Sequence, residues 1–293
     1  MAHKAGFVNI VGAPNVGKST LMNVLVGEKL SIITSKAQTT RHRIMGIFNS
    51  DDFQIVYSDT PGMLQPNYRL QESMMEFVKT AFKDADLVLF VTDVFEDIKL
   101  HDRDIEKIKQ LQVPVLLLVN KVDLATQEKL EEKVQYWKAK IPNAEVIPVS
   151  ALKKFNVNYV LNRITEQLPE SPPFFDKEEL TDRSQRFFVS EIIREKILKF
   201  YQKEIPYASE VVIDTFKEGE SLIKIRAEIL VERETQKGII IGHQGKALKK
   251  VGTEARKDME EFLGKKVFLE LFVKVDKDWR NNENKLRRFG YIQ

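Results

Sequence analysis

The hydrophobic pattern changes character near residue 170. From Phe7 to Leu168, short β-rich runs alternate with amphipathic stretches. The strand candidates are FVNIV, RIMGIF, FQIVYS, LVLFVT, VPVLLLVN and EVIPV. LVLFVT and VLLLV are apolar throughout, as strands covered on both faces are. Helical spacing fills stretches between them, notably 68–83, 128–140 and 157–168. This alternation predicts an α/β domain, a mostly parallel sheet with helices on both faces.

LPESPPFF, 168–175, breaks the rhythm with three prolines in five residues. Proline stops a helix and favours an extended spacer. The predicted organisation is therefore a first domain over 1–170, a linker over 171–183 and a second domain over 184–293. The second half opens with a helical pattern over 184–204, marked by Phe188, Ile192, Ile193, Ile197 and Phe200. Two strand patterns follow, SEVVIDTF and SLIKIRAEILVER, separated by the turn KEGE. A short helix, the stretch IIIGHQGKALKK, a helix over 246–262 and the strand KVFLELFVKV complete an α-β-β-α-α-β order, an α+β domain.

The first half carries chemistry at strand ends. GAPNVGKST, 12–20, matches G-x-x-x-x-G-K-[ST] between an apolar strand and a helical run. Gly12 and Gly17 let backbone wrap closely around phosphate oxygens, and the amides of Ala13, Pro14's neighbours Asn15 and Val16, and Lys18 to Thr20 face the loop. Lys18 reaches the terminal phosphates, and the Ser19 hydroxyl suits Mg²⁺. NKVD, Asn120, Lys121, Val122 and Asp123, follows the most apolar strand, where an open α/β sheet binds ligand. A carboxylate at Asp123 accepts hydrogen bonds from guanine N1–H and its 2-amino group, which adenine lacks. Ser150 and Ala151, after the next strand, add a weak triplet with Leu152. Between them, DTPG spans Asp59, Thr60, Pro61 and Gly62. Asp59 is placed to hold Mg²⁺ through water, and the Gly62 amide to sense a γ-phosphate. In QTTRHR, 38–43, Thr40 is the candidate second Mg²⁺ ligand, ahead of Thr39.

Taken in order, G-x-x-x-x-G-K-S, T-T-R, D-T-P-G, N-K-x-D and S-A resemble the translation-factor-related GTPases. With the α-β-β-α-α-β domain and its G-x-x-G, nearly the whole chain resembles the Era-like family of bacterial ribosome-assembly GTPases. DWR at 278–280 and RRFGY at 287–291 belong to the resemblance. It implies GTP hydrolysis with Mg²⁺. It also implies binding to small-subunit (16S) ribosomal RNA near its 3′ end, a role in 30S assembly, and peripheral association of a cytoplasmic, monomeric protein with the inner membrane. Ras-like GTPases place a water-orienting glutamine after D-x-x-G. Here Met63 stands there, so no general base is assigned. Catalysis is expected to rest on Lys18, Thr40, the Gly62 amide and the metal, and to be slow without a partner.

IIIGHQGKALKK does not fit a nucleotide loop, since two residues rather than four separate its glycines. It fits the K-homology (type II) pattern, in which Gly242 and Gly245 let a single-stranded RNA backbone approach. His243 and Gln244 occupy the middle, and Lys246, Lys249 and Lys250 add positive charge. Ile241, with Ile239 and Ile240, either lines a groove for bases or packs in the core; core packing is expected for at least two of the three.

Charge sharpens this division. Residues 1–175 hold 21 basic and 21 acidic side chains, and residues 176–293 hold 25 and 22, so the net +3 lies wholly in the second half. A small electropositive surface there suits an anionic partner. There is no cysteine, which removes disulfides and zinc–cysteine sites. No apolar run reaches membrane-spanning length, and residues 1–6 lack an apolar signal-peptide core. Two competing readings remain: a membrane-associated cell-division signalling GTPase whose second domain meets lipid or protein, and a P-loop kinase.

Overall fold

A computed structural model of the chain describes residues 3–96 and 102–292. Two compact units emerge, one of residues 1–65 and 74–182, the other of 66–73 and 183–293.

The first unit is built on six strands: β1 (Lys4–Gly12), β2 (Ile44–Asn49), β3 (Phe53–Asp59), β4 (Leu87–Asp93), β5 (Val115–Asn120) and β6 (Glu145–Pro148). Their order is β2-β3-β1-β4-β5-β6. All pairings are parallel except that of edge strand β2 with β3. The helices are α1 (Lys18–Val26), α2 (Arg69–Lys83), α3 (Asp102–Lys109), α4 (Gln127–Lys140) and α5 (Val157–Gln167). Side chains of α2, α3 and α4, including Val78, Ile108 and Trp137, pack on Val88, Phe90, Leu117 and Val119 of the central strands. On the other side α1 packs with α5 and β1 to β3. All of β4 is buried, which explains its unbroken apolar sequence. Only α3 was not anticipated from the sequence, and part of the stretch leading to it lies outside the described residues.

The predicted spacer is tied down along the sheet edge rather than free. Phe174 and Phe175 both donate their N–H to Gln54 Oε1 (2.7 and 3.0 Å), and Gln54 Nε2 donates to the Phe175 carbonyl (2.8 Å). The Phe174 ring lies 4.9 Å from that of Phe7. Further on, Ile47 N–H donates to the Leu180 carbonyl (2.8 Å), Thr181 Oγ1 to the Met45 carbonyl (2.6 Å), and Met45 N–H to Asp182 Oδ1 (3.2 Å). The strap thus satisfies backbone groups of β2 that an exposed edge leaves open.

In the second unit, α6 (Gln185–Phe200), α7 (Glu234–Ile241) and α8 (Lys246–Leu263) cover one face of a sheet of β7 (Glu210–Glu218), β8 (Leu222–Val231) and β9 (Lys266–Val275). β7 and β8 are antiparallel, and β9 runs parallel to β8. The helix expected to run to residue 204 stops at Phe200. Tyr201 is extended (φ −109°, ψ 157°), and a 3-10 turn with Pro206 follows. The Tyr201 hydroxyl donates to the Ile240 carbonyl (2.7 Å), pinning the end of α6 to α7. A short α9 (Glu283–Arg288) follows, capped by Asn282, whose Oδ1 accepts the Lys285 N–H (3.1 Å). Trp279 is fully buried and donates to the Ala208 carbonyl (3.0 Å), as expected of a core residue.

Gln54 is wholly buried, so its loss leaves strap amides without acceptors. Gln54→Leu is expected to destabilise the protein by about 2 kcal/mol in urea denaturation. Hydrogen exchange should accelerate at Phe174 and Phe175 well before the central strands. Unchanged protection there would mean that the strap does not depend on this side chain.

Candidate functional site: a phosphate loop with a base-binding end, and a second cleft

The C-terminal ends of β1, β3, β5 and β6 meet at a cleft of about 510 Å³. Strand order reverses beside β1, the place where open α/β sheets bind ligands. The loop after β1 tolerates no side chain at two positions. Gly12 has φ +150°, and a Cβ there would lie 2.0 Å from the Val91 carbonyl oxygen. Gly17 has φ +100°, and a Cβ there would lie 2.2 Å from Asn120 Nδ2. Lys18 is buried and donates to the carbonyls of Gly12 (3.1 Å) and Ala13 (2.8 Å). Burial lowers its pKa to about 8, against the opposing charges of Asp59 and Glu96. A phosphate in the loop would supply the counter-charge that burial withholds.

The three predicted metal-binding oxygens converge. Ser19 Oγ donates to Asp59 Oδ2 (2.6 Å) and lies 2.9 Å from Thr40 Oγ1, which donates to the same carboxylate oxygen (3.2 Å). Asp59 is fully buried, and burial pushes its carboxyl above the ordinary value although Lys18 and the hydroxyls pull it down. Its Oδ1 is buried without a hydrogen-bond partner. Two hydroxyls and a carboxylate with an orphaned oxygen fit a small hard cation such as Mg²⁺. Thr39 is committed elsewhere, sharing a hydrogen bond with Thr34 Oγ1 (2.6 Å) and donating to the Lys36 carbonyl (2.6 Å). Gly62 also lines the cleft, and a Cβ there would lie 2.7 Å from Pro14 Cα. Met63 is 6 % exposed and packs in the core with Val11, Val78 and Val94. Its N–H donates to the Gly12 carbonyl (3.0 Å), so its contribution to the site is through the backbone.

At the far end, Asn120 Nδ2 donates to the Val16 carbonyl (2.8 Å) and its Oδ1 accepts the Ala151 N–H (3.0 Å). Ser150 Oγ donates to Asp123 Oδ1 (2.6 Å), which fixes the carboxylate at the cleft wall. Lys121 adopts a left-handed backbone (φ +64°), and its ammonium meets Asp93 Oδ2 at 2.5 Å. Asp93 Oδ1 accepts the N–H groups of Phe95 and Glu96 (2.8 and 2.9 Å). Pro14, Asn15, Ser19, Thr20, Lys121 and Asp123 line the cleft, whereas Gly12, Ala13, Val16, Asp59 and Met63 are not in its lining. Thr60, Pro61 and Val122 do not line it. Thr60 is buried and donates to the Ile10 carbonyl (2.8 Å), so these residues shape the loops from behind.

Sequence reasoning missed Phe95, Ile32, Ile33 and Leu124 in the lining of this cleft, and Asp93, which holds Lys121 beside it. Asp93 had a signal: a carboxylate closing a fully apolar parallel strand sits at the ligand-facing edge. The apolar cleft residues had none, since loop isoleucines and leucines carry no chemistry by type.

In the second unit, a groove of about 460 Å³ runs between α8 and β9 and begins at Gly245. One face of α8 supplies Leu248, Lys249, Gly252, Thr253 and Arg256, and β9 supplies Leu269 and Leu271. Gly242 (φ 68°, ψ 177°) and Gly245 (φ +74°) allow the chain to turn between α7 and α8. His243 and Gln244 are exposed at the turn, with Gln244 left-handed (φ 52°). Three sequence-level assignments move. Ile240 is fully buried and Ile241 packs on the same core, so Ile241 does not line the groove. Lys250 turns the other way, its ammonium 4.5 Å from the Phe200 ring centroid. Lys246 is exposed but outside the groove lining, which leaves Lys249 as the lysine within it. Gly252, Thr253 and Arg256 were missed, although they follow Gly245 at helical spacing on the Lys249 face.

Comparison with known proteins matches both units. Residues 7–121 match the family model described as 50S ribosome-binding GTPase, and residues 204–280 match the KH domain. The chain is 44 % identical over 293 residues to GTPase Era of Staphylococcus epidermidis, covering 99 % of this chain and 98 % of that one. Among solved structures it resembles Era in complex with MgGDPNP and nucleotides 1506–1542 of 16S ribosomal RNA. The TM-score is 0.95 at 40 % identity, covering 99 % of this chain and 100 % of the other. A single-substitution variant of Aquifex aeolicus Era bound to GDP·AlF4⁻ matches with the same score, identity and coverage.

The two glycines of the turn differ in what they tolerate. Gly242 lies in a backbone region open essentially to glycine alone, and a Cβ there would lie 2.6 Å from that of Ala247. Gly242→Ala is expected to cost about 3 kcal/mol in chemical denaturation. Gly245 has open space around its Cβ position and a left-handed backbone that asparagine accepts, so Gly245→Asn should cost less than about 1 kcal/mol. Equal costs would contradict this division.

Proposed function

The chain belongs to the Era family of GTPases, and we propose that it hydrolyses GTP to time its hold on small-subunit ribosomal RNA near the 3′ end during 30S assembly. One observation carries this reading. A single chain holds both a phosphate cleft with a carboxylate fixed for the base and a separate groove opening at G-x-x-G. In the comparison structure, Era holds both MgGDPNP and 16S ribosomal RNA.

In the cleft, Asp123, held by Ser150, selects guanine by accepting from the base edge. Lys18 and the amides of the loop after β1 bind the phosphates and stabilise charge on the transferring group. Ser19, Thr40 and Asp59 would hold Mg²⁺, which when bound neutralises phosphate charge. Met63 is buried and apolar, so no side chain directly after D-x-x-G orients water. Turnover without a partner should therefore lie well below the roughly 1–100 s⁻¹ of fast phosphoryl-transfer enzymes. At the mouth of the groove the turn made by Gly242 leaves Gly245 open to a nucleic-acid backbone, with Lys249 and Arg256 beside it for the phosphates. Cytoplasmic residence as a monomer, with peripheral association with the inner membrane, forms part of the same proposal.

Two variants test whether two ligands occupy two sites. Asp123→Asn should weaken GTP binding by roughly a hundredfold or more and improve binding of xanthosine triphosphate, leaving RNA affinity unchanged. Gly245→Asp should sharply weaken binding to a 16S 3′-end RNA in a filter or anisotropy assay, with GTP affinity nearly intact. If either variant lost both ligands equally while folded, the two-site reading would fail.

A further inference from the structure

The helices of the second unit cover one face of its sheet, and the reading above uses that side alone. Strand alternation sends Ile223, Ile225 and Ala227 of β8 into the core. Lys224 and Arg226 therefore stand on the outer face, and on the neighbouring β9 so do Phe268 and Phe272. These two rings are 52 % and 38 % exposed, on the same side of one strand and roughly 13 Å apart at four residues' separation. Lys224 is paired in register with Phe268. The Arg226 guanidinium lies 4.4 Å from the Phe272 ring centroid and 3.6 Å from Asp214. Lys217 and Lys224 are exposed and make no ion pair among the described residues. Glu228 is spent on Lys274, and Glu270 is the remaining acid of β9 on this side. Leu230, also on the outer face, is buried, so the exposed rings and the unpaired lysines cluster at the end around residues 217–224 and 266–272.

Lys217 and Lys224 beside the exposed rings are unlike the centre of a protein-docking patch, where lysine is depleted. They match a platform on which unpaired bases stack while cations meet the phosphates. The face also continues from the groove, because Phe268 of edge strand β9 borders both. We infer that RNA leaving the α8–β9 groove passes around β9 and lays unpaired bases on Phe268 and Phe272, with Lys217, Lys224 and Arg226 taking its backbone. This rests on the groove holding RNA.

The test compares two RNA probes on the full-length protein by fluorescence anisotropy. One is a short single-stranded 16S 3′-end oligonucleotide that fills only the groove, and the other is the 1506–1542 segment. Phe272→Ser, at the ring outside the groove lining, should weaken the longer RNA roughly tenfold or more and leave the short one unchanged. Replacement of both rings, Phe268 and Phe272, by tyrosine should retain affinity. Lys217→Glu with Lys224→Glu, far from the core, should likewise weaken only the longer RNA and flatten its salt dependence. Wild-type affinity of these variants for the longer RNA would overturn the inference. Equal loss for both RNAs at unchanged melting temperature would do the same, by placing the rings in the groove. If the unaltered protein bound neither RNA, the RNA reading of the groove would fall, and this inference with it.

Discussion

One buried side-chain amide holds the nucleotide cleft together. Asn120 donates to the loop after β1 at Val16 and accepts from the loop after β6 at Ala151, while its own backbone ends β5. Three segments far apart in the chain are thereby held at one spacing. The phosphate end of the cleft and its base end then match a ligand of one length. The constraint propagates outward. Gly17 must lack a side chain because Asn120 Nδ2 occupies that space, and Gly12 must lack one because the Val91 carbonyl does. Ser150 comes directly before Ala151, so the amide that positions Ala151 also brings the Ser150 hydroxyl to Asp123. A buried amide bonded at both ends is costly to break and has few alternative partners, which is what makes the spacing rigid.

The two glycine-bearing loops solve different problems. In the loop after β1, the glycines are required by what lies behind them, backbone or a buried amide, and the lysine of the loop is buried. In the turn between α7 and α8, Gly242 is required by its own backbone angles and by Ala247, but Gly245 faces open space. A cleft whose loop is backed by a carbonyl and a buried amide suits a compact phosphate chain. A turn open on one side, with a groove continuing from it, suits a polymer that enters and leaves.

What the sequence revealed depended on whether chemistry sat at fixed spacing. Lys18, Ser19, Asp59, Asn120 and Asp123 were legible because residue type, order and position after apolar strands agree, and the structure brings them to one cleft. Thr40 was chosen over Thr39 on pattern, and the geometry gives the reason, since Thr39 is tied to Thr34 and Lys36. The strap on β2 was not legible, because Gln54 and Phe175 are distant in sequence and neither belongs to a pattern. The direction of Lys250 was missed for a related reason. Counting lysines near G-x-x-G ignores that 249 and 250 lie on different faces of a helix. The end of α6 needed the Tyr201 bond to Ile240, a contact between elements. The 3-10 turn at Pro206 could have been weighed from sequence alone.

Chain connectivity adds a last constraint on how the two units are joined. The chain passes between units near residues 65, 73 and 182. The first passage comes three residues after Gly62. Residues 66–73, which belong to the second unit, are held there by Leu70 N–H on the Arg280 carbonyl (2.9 Å) and by Arg69 on Glu283. The last passage follows Asp182, whose carboxylate accepts from Met45, five residues after Thr40. Thr40 shares hydrogen bonds with Ser19 and Asp59, and Gly62 lines the same cleft. Each therefore has only a few residues, already hydrogen-bonded, in which to absorb a displacement. A packed and bonded segment of that length moves as a piece rather than stretching.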